Sequence, residues 1–450
     1  MKNTQSLLSI TRLKKYYPMS STLFRKNKTV LRAVDNLSLE IKRGETFALV
    51  GESGCGKSTF GRTVLGLTTP TDGVVIYRGI TLEEALPSYL FTTLKNAEML
   101  RIAYLEDTKN AFLSARLYSA VKILGGFLGA SGVVFTQGIA ALKEKYTALK
   151  KGDKQAAALA ENALNALRTE AGKDKAFAAL EEKLDSGVDL CRLTEKEWRK
   201  FRSDLQIVFQ DPYSSLNPRM TVGQIIAEGA YTHNYFKRGE KELDSYVLQL
   251  MQSCGLQPFT AQRYPHEFSG GQRQRVCIAR ALSVRPKFIV CDECVSALDV
   301  SVQAQILNLL STLKEEKGLT YLFISHDISV VRHVSDRVAV MYLGQIMEQG
   351  ETERVFDSPL HPYTIALLSA VPTTKKKRTQ KIEWRGDLPS PNEKITGCPF
   401  HTRCFMAQEI CKREYAPLKE VEKGRFVACH FAEKSTKEKR ALAAKDGETK

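Results

Sequence analysis

The chain has 450 residues, 43% of them hydrophobic and 26% charged, with a formal net charge of +16. This is the make-up of a soluble globular protein with more than one ordinary domain's worth of core. No stretch reaches the roughly 18 consecutive apolar residues of a membrane-spanning helix, and Met1 to Tyr17 lacks the apolar centre of a signal peptide. The most apolar run, Ile123 to Phe135, is short and broken by Gly125, Gly126, Gly129 and Gly132. The chain is therefore expected to stay in the cytosol, and any membrane role has to come through a partner. Much of the positive excess lies late, in Lys375-Lys376-Lys377-Arg378 and in Lys434 to Lys450. Such charge suits nucleic acid or an anionic leaflet, but solvated faces and a frayed tail account for it more simply. The 10 cysteines show no disulfide spacing, and in a cytosolic chain they point to metal binding or to core packing.

In chain order, the first eighty residues read as short strands and turns. The apolar run Thr46 to Val50 then leads into Gly51-Glu52-Ser53-Gly54-Cys55-Gly56-Lys57-Ser58-Thr59, followed by the helix-like Phe60 to Leu67. This is the phosphate-loop pattern in its strand–loop–helix context. The glycines let backbone N–H groups turn towards a phosphate, and the helix start adds its positive end. Lys57 can neutralise the outer phosphates, and the Ser58 hydroxyl can ligate Mg²⁺. Residues 84–189 change texture, with apolar residues at helical spacing: Leu142, Tyr146 and Leu149; Leu164, Leu167 and Ala171; Phe177, Leu180 and Leu184. Lys151-Gly152-Asp153 and Gly172-Lys173-Asp174 interrupt them, so the spacing predicts a small helical insertion containing a hairpin.

From about residue 191 to about 345, apolar strands alternate with helices, the pattern of a largely parallel sheet covered on both faces. Phe288 to Cys291 is a strand ending in Asp292-Glu293. Beside a phosphate loop, Asp292 can hold Mg²⁺, and Glu293 can polarise the attacking water as a general base. Phe268-Ser269-Gly270-Gly271-Gln272 opens a basic helix, Arg273 to Ser283, and forms a second anion-binding helix start. Two such loops in one chain are reconciled if two copies face head to tail, each covering the other's nucleotide. A Pro- and Lys-rich linker, Pro372 to Pro391, precedes a tail with Cys398, Cys404, Cys411 and Cys429. Four thiolates suit an iron–sulfur cluster or structural zinc, and their spacing does not choose between them.

With these motifs in order, the chain resembles the ABC ATPase family. Ser269, Gly270, Gly271 and Gln272 look like its signature loop, with Phe268 where Leu is common. Gln210 resembles the Q-loop glutamine, Ser296-Ala297-Leu298-Asp299 the D-loop, and His326 the switch histidine; Tyr17, rather than Tyr16, is similar to the aromatic residue that stacks on adenine. The stretch Gln210 to Gly223, Arg263-Tyr264-Pro265-His266-Glu267, Leu360-His361-Pro362-Tyr363-Thr364 and Cys398 to Cys404 resemble the oligopeptide and dipeptide permease branch, above all the second of its two ATPase subunits.

The resemblance implies an α/β fold: a RecA-like phosphate-loop core with an antiparallel β subdomain and an α-helical signature subdomain. To these the chain adds a helical insertion and a small cysteine-bearing C-terminal region. The nucleotide-binding domain would comprise residues 1–83 and 190–345, the insertion 84–189 and the C-terminal extension 346–450. Also implied are ATP and Mg²⁺ as cofactors, with Ser58, Gln210 and Asp292 around the metal, Glu293, His326 and Gln210 as catalytic residues, and Asp299 at the dimer interface. The implied partners are a second ATPase subunit, two membrane permeases and, indirectly, an external peptide-binding protein, with the chain on the cytoplasmic face of the membrane. The resemblance also favours a 4Fe–4S cluster over zinc or free thiols for the tail cysteines.

Two departures stand out. Cys294 replaces the Pro that usually follows the catalytic Glu, so a backbone restraint is missing there. Relatives have a short connector where this chain has residues 84–189. A soluble ABC-type ATPase acting on nucleic acid or ribosomes would suit the charge. Chromosome-handling relatives, however, carry long coiled coils after the Q-loop, and translation-factor relatives carry two nucleotide domains; this chain has one phosphate loop and its insertion lies before Gln210. No nucleic-acid partner is expected. A regulatory subunit without catalysis is the remaining alternative, suggested by Cys294 alone.

Overall fold

A computed structural model describes residues 6–19, 30–107, 114–370, 395–434 and 438. The linker Pro372 to Pro391, with its basic run, and most of the basic tail lie outside the described residues. The strands are β1 (Ser6–Pro18), β2 (Val30–Lys42), β3 (Thr46–Val50), β4 (Asp72–Thr81), β5 (Gly187–Asp189) and β6 (Leu205–Val208). They continue with β7 (Phe288–Asp292), β8 (Thr320–Ser325), β9 (Arg337–Tyr342), β10 (Gln345–Glu351), β11 (Lys419–Glu422) and β12 (Arg425–Val427). Instead of the short strands expected near the start, β1 and β2 run 13 residues each, pairing antiparallel with several register shifts. With β4 and β5 they form a sheet of order β2-β1-β4-β5.

The second sheet has the order β11-β12-β10-β9-β3-β8-β7-β6. Strands β6, β7, β8, β3 and β9 are mutually parallel where they pair. Every residue of β3, β7 and β8 is buried, which is why they read as unbroken apolar runs rather than alternating ones. Parallel strands present their C-terminal ends at one edge, where an open α/β sheet places its ligand crevice. The phosphate loop leaves β3 there, Asp292 ends β7, and Ser325 ends β8 with His326 directly after it.

The signature turn opens the helix Gly270–Leu282, which packs with Val222–Thr232 and Lys241–Ser253 into a helical layer. The C-terminal residues continue the same sheet: β12 pairs with β10, and Arg425 donates to Glu348 at 2.8 Å, both side chains buried.

Helices fill most of residues 82–181. Gly132–Lys151 and Lys154–Ala171 form the expected hairpin. Gly152 turns the chain at φ 79°, and Asp153 caps the next helix by accepting from Ala156 N–H. Leu142, Tyr146, Leu164, Phe177 and Leu180 are buried, and the glycine-broken run contributes Phe127, edge-on to Phe177 with centroids 5.4 Å apart. This helical core is continuous with that of the antiparallel sheet. At the C-terminal end, Gly187–Asp189 belong to the sheet as β5, so the sheet reclaims them from the segment 84–189.

The two ends of the helical segment meet on neighbouring strands. Thr81 is opposite Gly187, and Leu82 N–H donates to the Ser186 carbonyl at 2.7 Å. A variant that replaces residues 82–186 with a short Asn-Gly turn should therefore close as a hairpin between β4 and β5. It should melt lower, because the helices cover part of the core, yet bind ATP with unchanged affinity in a fluorescent-nucleotide titration. A folded deletion protein without ATP binding would make the helices part of the site.

Candidate functional site

The phosphate loop is built around close backbone approaches. A Cβ on Gly51 would lie 2.1 Å from the Met341 carbonyl oxygen, and one on Gly56, at φ 105°, would lie 1.9 Å from that of Ala33. Only glycine fits either position. Lys57 is buried and donates to the Gly51 and Glu52 carbonyls, both at 2.9 Å. The helix Lys57–Val64 starts directly from the loop, so its free N–H groups face the same space.

Ser58 Oγ donates to Asp292 Oδ1 at 2.6 Å. Asp292 is almost fully buried, and burial raises its pKa above the ordinary carboxylate range; the Ser58 hydrogen bond and the Arg62 guanidinium pull it back. Its Oδ2 accepts no hydrogen bond and lies 3.6 Å from Arg62. A buried carboxylate oxygen without a donor, beside a hydroxyl, is a donor set for a divalent cation, so these residues fit Mg²⁺.

Glu293 follows in the left-handed region, at φ 49°. Such a conformation costs a non-glycine residue about 1 kcal/mol or more. It is held by its N–H, which donates to Ile324 O at 3.0 Å, and by its carbonyl, which accepts from Ser296 N–H and Oγ. These bonds fix the backbone on either side of Cys294. Cys294 is buried in the core and packs with Cys291, whose thiol pKa is pushed well up by the hydrogen bond to Cys294 and by burial. The Glu293 carboxylate accepts from Gln210 Nε2 at 2.9 Å and lies 3.4 Å from His326 Nδ1. Gln210, Asp292, Glu293 and His326 thus meet beside Lys57 and Ser58.

The signature residues are placed elsewhere. Ser269 caps its helix in a reciprocal pair with Gln272, donating N–H to Gln272 Oε1 and accepting from Gln272 N–H. Gly271 abuts Val302, since a Cβ there would lie 2.4 Å from the valine methyl. The turn therefore packs on the helix Val300–Lys317, which Asp299 precedes. Tyr16 and Tyr17 occupy β1. The Tyr16 hydroxyl donates to Asp35, whereas the Tyr17 ring carries the Lys15 ammonium 4.7 Å from its centroid.

Cys398, Cys404, Cys411 and Cys429 line one small cavity together with His361, Phe400 and Met406. Burial pushes the Cys398 and Cys404 thiols up to about 12. As placed, no group of three or more His, Cys, Asp or Glu among the described residues could hold a metal ion. Cys398, Cys404 and Cys411 are buried and Cys429 is half-buried on this cavity, and thiolates are the donor chemistry of zinc and iron–sulfur sites.

Sequence reasoning did not single out Arg62, Tyr363 or Arg403, all of which touch the site. Arg62 sits one helical turn after Ser58, a spacing that could have flagged it. Tyr363 and Arg403 lie inside motifs noted only for their resemblance, and their contacts to Glu52 span more than 300 residues of chain.

Comparison with known proteins agrees with this geometry. Residues 34–187 and 171–296 match the ABC transporter family, and residues 347–411 match the oligopeptide/dipeptide transporter C-terminal region. The oligopeptide transport ATP-binding protein AppF of Bacillus subtilis is 39% identical over 433 residues, covering 95% of this chain and 98% of the relative. The dipeptide transport ATP-binding protein DppF of Haemophilus influenzae is 36% identical, with 95% and 98% covered. The oligopeptide transport ATP-binding protein OppF of Salmonella typhimurium is 37% identical, with 90% of each chain covered. Among the described residues, no helix is long and apolar enough to cross a membrane.

The raised pKa of Asp292 has a thermodynamic consequence. A carboxyl group protonated more readily in the folded than in the unfolded chain makes stability fall as pH rises from the ordinary carboxylate range through the raised folded value. Without nucleotide, Asp292→Asn should therefore melt above the unmodified protein at neutral pH. That advantage should shrink as pH falls and Asp292 becomes protonated. Mg²⁺-ATP should stabilise the variant far less than the unmodified protein. Thermal melts across pH, with and without Mg²⁺-ATP, check all three; an advantage constant with pH would show that burial of this charge is not the cause.

Proposed function

The chain belongs to the ATP-binding subunits of the oligopeptide/dipeptide class of ABC transporters, and from that membership we propose that it hydrolyses ATP to power import of oligopeptides or dipeptides. One observation carries the chemistry: Glu293 is held between Gln210 and His326, one residue after the Asp292–Ser58 pair, at the mouth of the phosphate loop.

In this reading the N–H groups of Gly51 to Thr59 cradle the phosphates, and Lys57 turns from the loop carbonyls towards them. Ser58, Asp292 and Gln210 hold Mg²⁺, which supplies charge neutralisation on the phosphate oxygens. Glu293 accepts a proton from the attacking water, with Gln210 and His326 orienting its carboxylate. Tyr17 stacks on the adenine. Ser269, Gly270, Gly271 and Gln272 serve the nucleotide of a second ATPase subunit across a head-to-tail interface, with Asp299 at the seam. Packing of the signature turn on the helix after Asp299 supports a shared surface of this kind. Two permeases then place the chain on the cytoplasmic face of the membrane, and a binding protein delivers the peptide outside.

The domain division that fits these roles is a cassette interrupted by the helices between Thr81 and Gly187, with a C-terminal module fused to its sheet. The four tail cysteines hold an iron–sulfur cluster in this proposal, supported by their convergence on one cavity.

Glu293→Gln should bind ATP, hydrolyse it about 10²–10⁴-fold more slowly and accumulate as an ATP-bound dimer with the partner subunit on size exclusion. Ser269→Arg should keep ATP binding by the isolated chain and lose that dimer. Near-normal turnover of Glu293→Gln in a reconstituted transporter would reassign the base. For the tail, anaerobically purified protein should be brown and carry iron and sulfide, and Cys404→Ser should bleach it. Colourless protein with one zinc per chain would move the site to structural zinc, and metal-free protein would remove the metal altogether.

A further inference from the structure

Glu52, the second residue of the phosphate loop, has every polar group engaged. Its N–H donates to the Tyr363 hydroxyl at 3.0 Å. Its carbonyl accepts from Lys57 at 2.9 Å and from Cys55 N–H at 3.3 Å. Its two carboxylate oxygens accept from Arg403 Nη1 at 3.2 and 2.9 Å. Of these partners, Tyr363 and Arg403 come from the C-terminal region, one from each side of the linker.

Arg403 is well placed to act as a strut. Its side chain is only 8% exposed, against 24% for Glu52, so the ion pair is partly desolvated and the bond charge-assisted. Its guanidinium also reaches the Tyr342 hydroxyl at 3.5 Å. Arg403 is fixed inside the turn from Cys398 to Cys404, where its N–H donates to the Phe400 carbonyl at 3.1 Å. Phe400 packs against Tyr363 and Tyr342 with centroids 5.3 and 5.4 Å apart. The turn, the aromatic cluster and the first residues of the phosphate loop therefore form one packed unit. The guanidinium stays charged at any physiological pH, so Arg403 remains a charged donor to Glu52.

If the loop binds ATP as proposed above, on which this inference rests, Lys57 must leave the Gly51 and Glu52 carbonyls to meet the phosphates. Tyr363 and Arg403 then remain as the contacts on Glu52 from outside the phosphate loop, beside the local Cys55 N–H. We propose that Arg403 is a positioning residue for the phosphate loop, and that through Glu52 it couples ATP affinity to the order of the cysteine-bearing turn. Coupling of this kind is reciprocal: if the ordered turn favours ATP, ATP must favour the ordered turn.

The test uses the full chain and two readouts. In nucleotide titrations, Arg403→Ala and Glu52→Ala should each raise the Kd for Mg²⁺-ATP about fivefold or more, Arg403→Lys should recover part of the loss, and kcat at saturating ATP should change less than the Kd. The double variant should bind no more weakly than the weaker single one, because both remove the same link. In hydrogen-exchange mass spectrometry, ATP should slow exchange over residues 398–404 in the unmodified protein and not in Glu52→Ala. Glu52 lies outside the C-terminal region, so this arm stands even where Arg403→Ala fails to fold. Unchanged ATP affinity in both single variants, or additive losses, would overturn the proposal, as would ATP protection of 398–404 that persists in Glu52→Ala. Lys57→Ala separates the two readings: if it too binds ATP normally, the phosphate-loop assignment fails rather than the role of Arg403.

Discussion

A carboxylate buried at the end of a strand is the constraint around which the site is organised. Asp292 closes β7 with its charge removed from water, and burial on this scale is tolerated only with compensating partners. Ser58 and Arg62 supply part of that compensation, from the loop and the helix that follow β3. The sheet order sets who can help: β8 lies between β3 and β7, so the loop after β3 must reach across the end of β8 to meet Asp292. That crossing brings Ser58, Asp292 and the residues after β8 together. His326 and Glu293 follow from it, and Gln210 arrives because β6 is the neighbour of β7 on the other side. The convergence is a property of a parallel sheet with its ends at one edge, not of any single motif.

The helical segment shows how little such a core needs to change to accept a large excursion. Its entry and exit are one residue away from a paired position, Thr81 with Gly187, so the sheet experiences it as a hairpin loop. Loop-closure cost grows only slowly with length, and the segment offsets that cost by burying Tyr89, Leu90 and Phe127 against a shared core. Arg78 reinforces the join, donating to both carboxylate oxygens of Asp185 at 3.0 and 2.6 Å.

Much of this was legible in the sequence because the features are local. The phosphate loop, the Asp292-Glu293 pair and the signature turn each fit within ten residues, where spacing alone dictates geometry. The hairpin was legible for the same reason, the breaks at Lys151-Gly152-Asp153 and Gly172-Lys173-Asp174 being short-range signals; Asp153 caps its second helix and Asp174 the helix that follows it. What stayed hidden depends on distant partners. β5 is three residues long and carries no periodicity; it is a strand because β4 is there to pair with it. The effect of Cys294 could not be read from the lost proline, because Glu293 is held by the Ile324 carbonyl and by the N–H and hydroxyl of Ser296, none of which involves the side chain at 294. The contacts of Tyr363 and Arg403 to Glu52 leave no local trace at all.

The C-terminal region is best understood as part of the cassette rather than an appendage. Glu348, on β10, is fully buried and accepts from Leu360 N–H, His361 N–H and Arg425. Removing one partner of a buried ion pair costs about 3–5 kcal/mol, because the other charge is stranded, and that is a large share of a typical folding free energy of roughly 5–15 kcal/mol. Truncating the chain before Arg425 would strand Glu348 in the sheet that also carries the phosphate loop. The segment after the linker therefore folds onto β10 as a condition of the cassette's own stability. Once β12 is paired there, the cysteine-bearing turn is carried against Tyr342, at the end of β9 and beside Gly51. The site's nearest C-terminal neighbours thus sit on the strand pair that also carries this buried charge, and Glu348 holds the His361 N–H beside the same aromatic cluster.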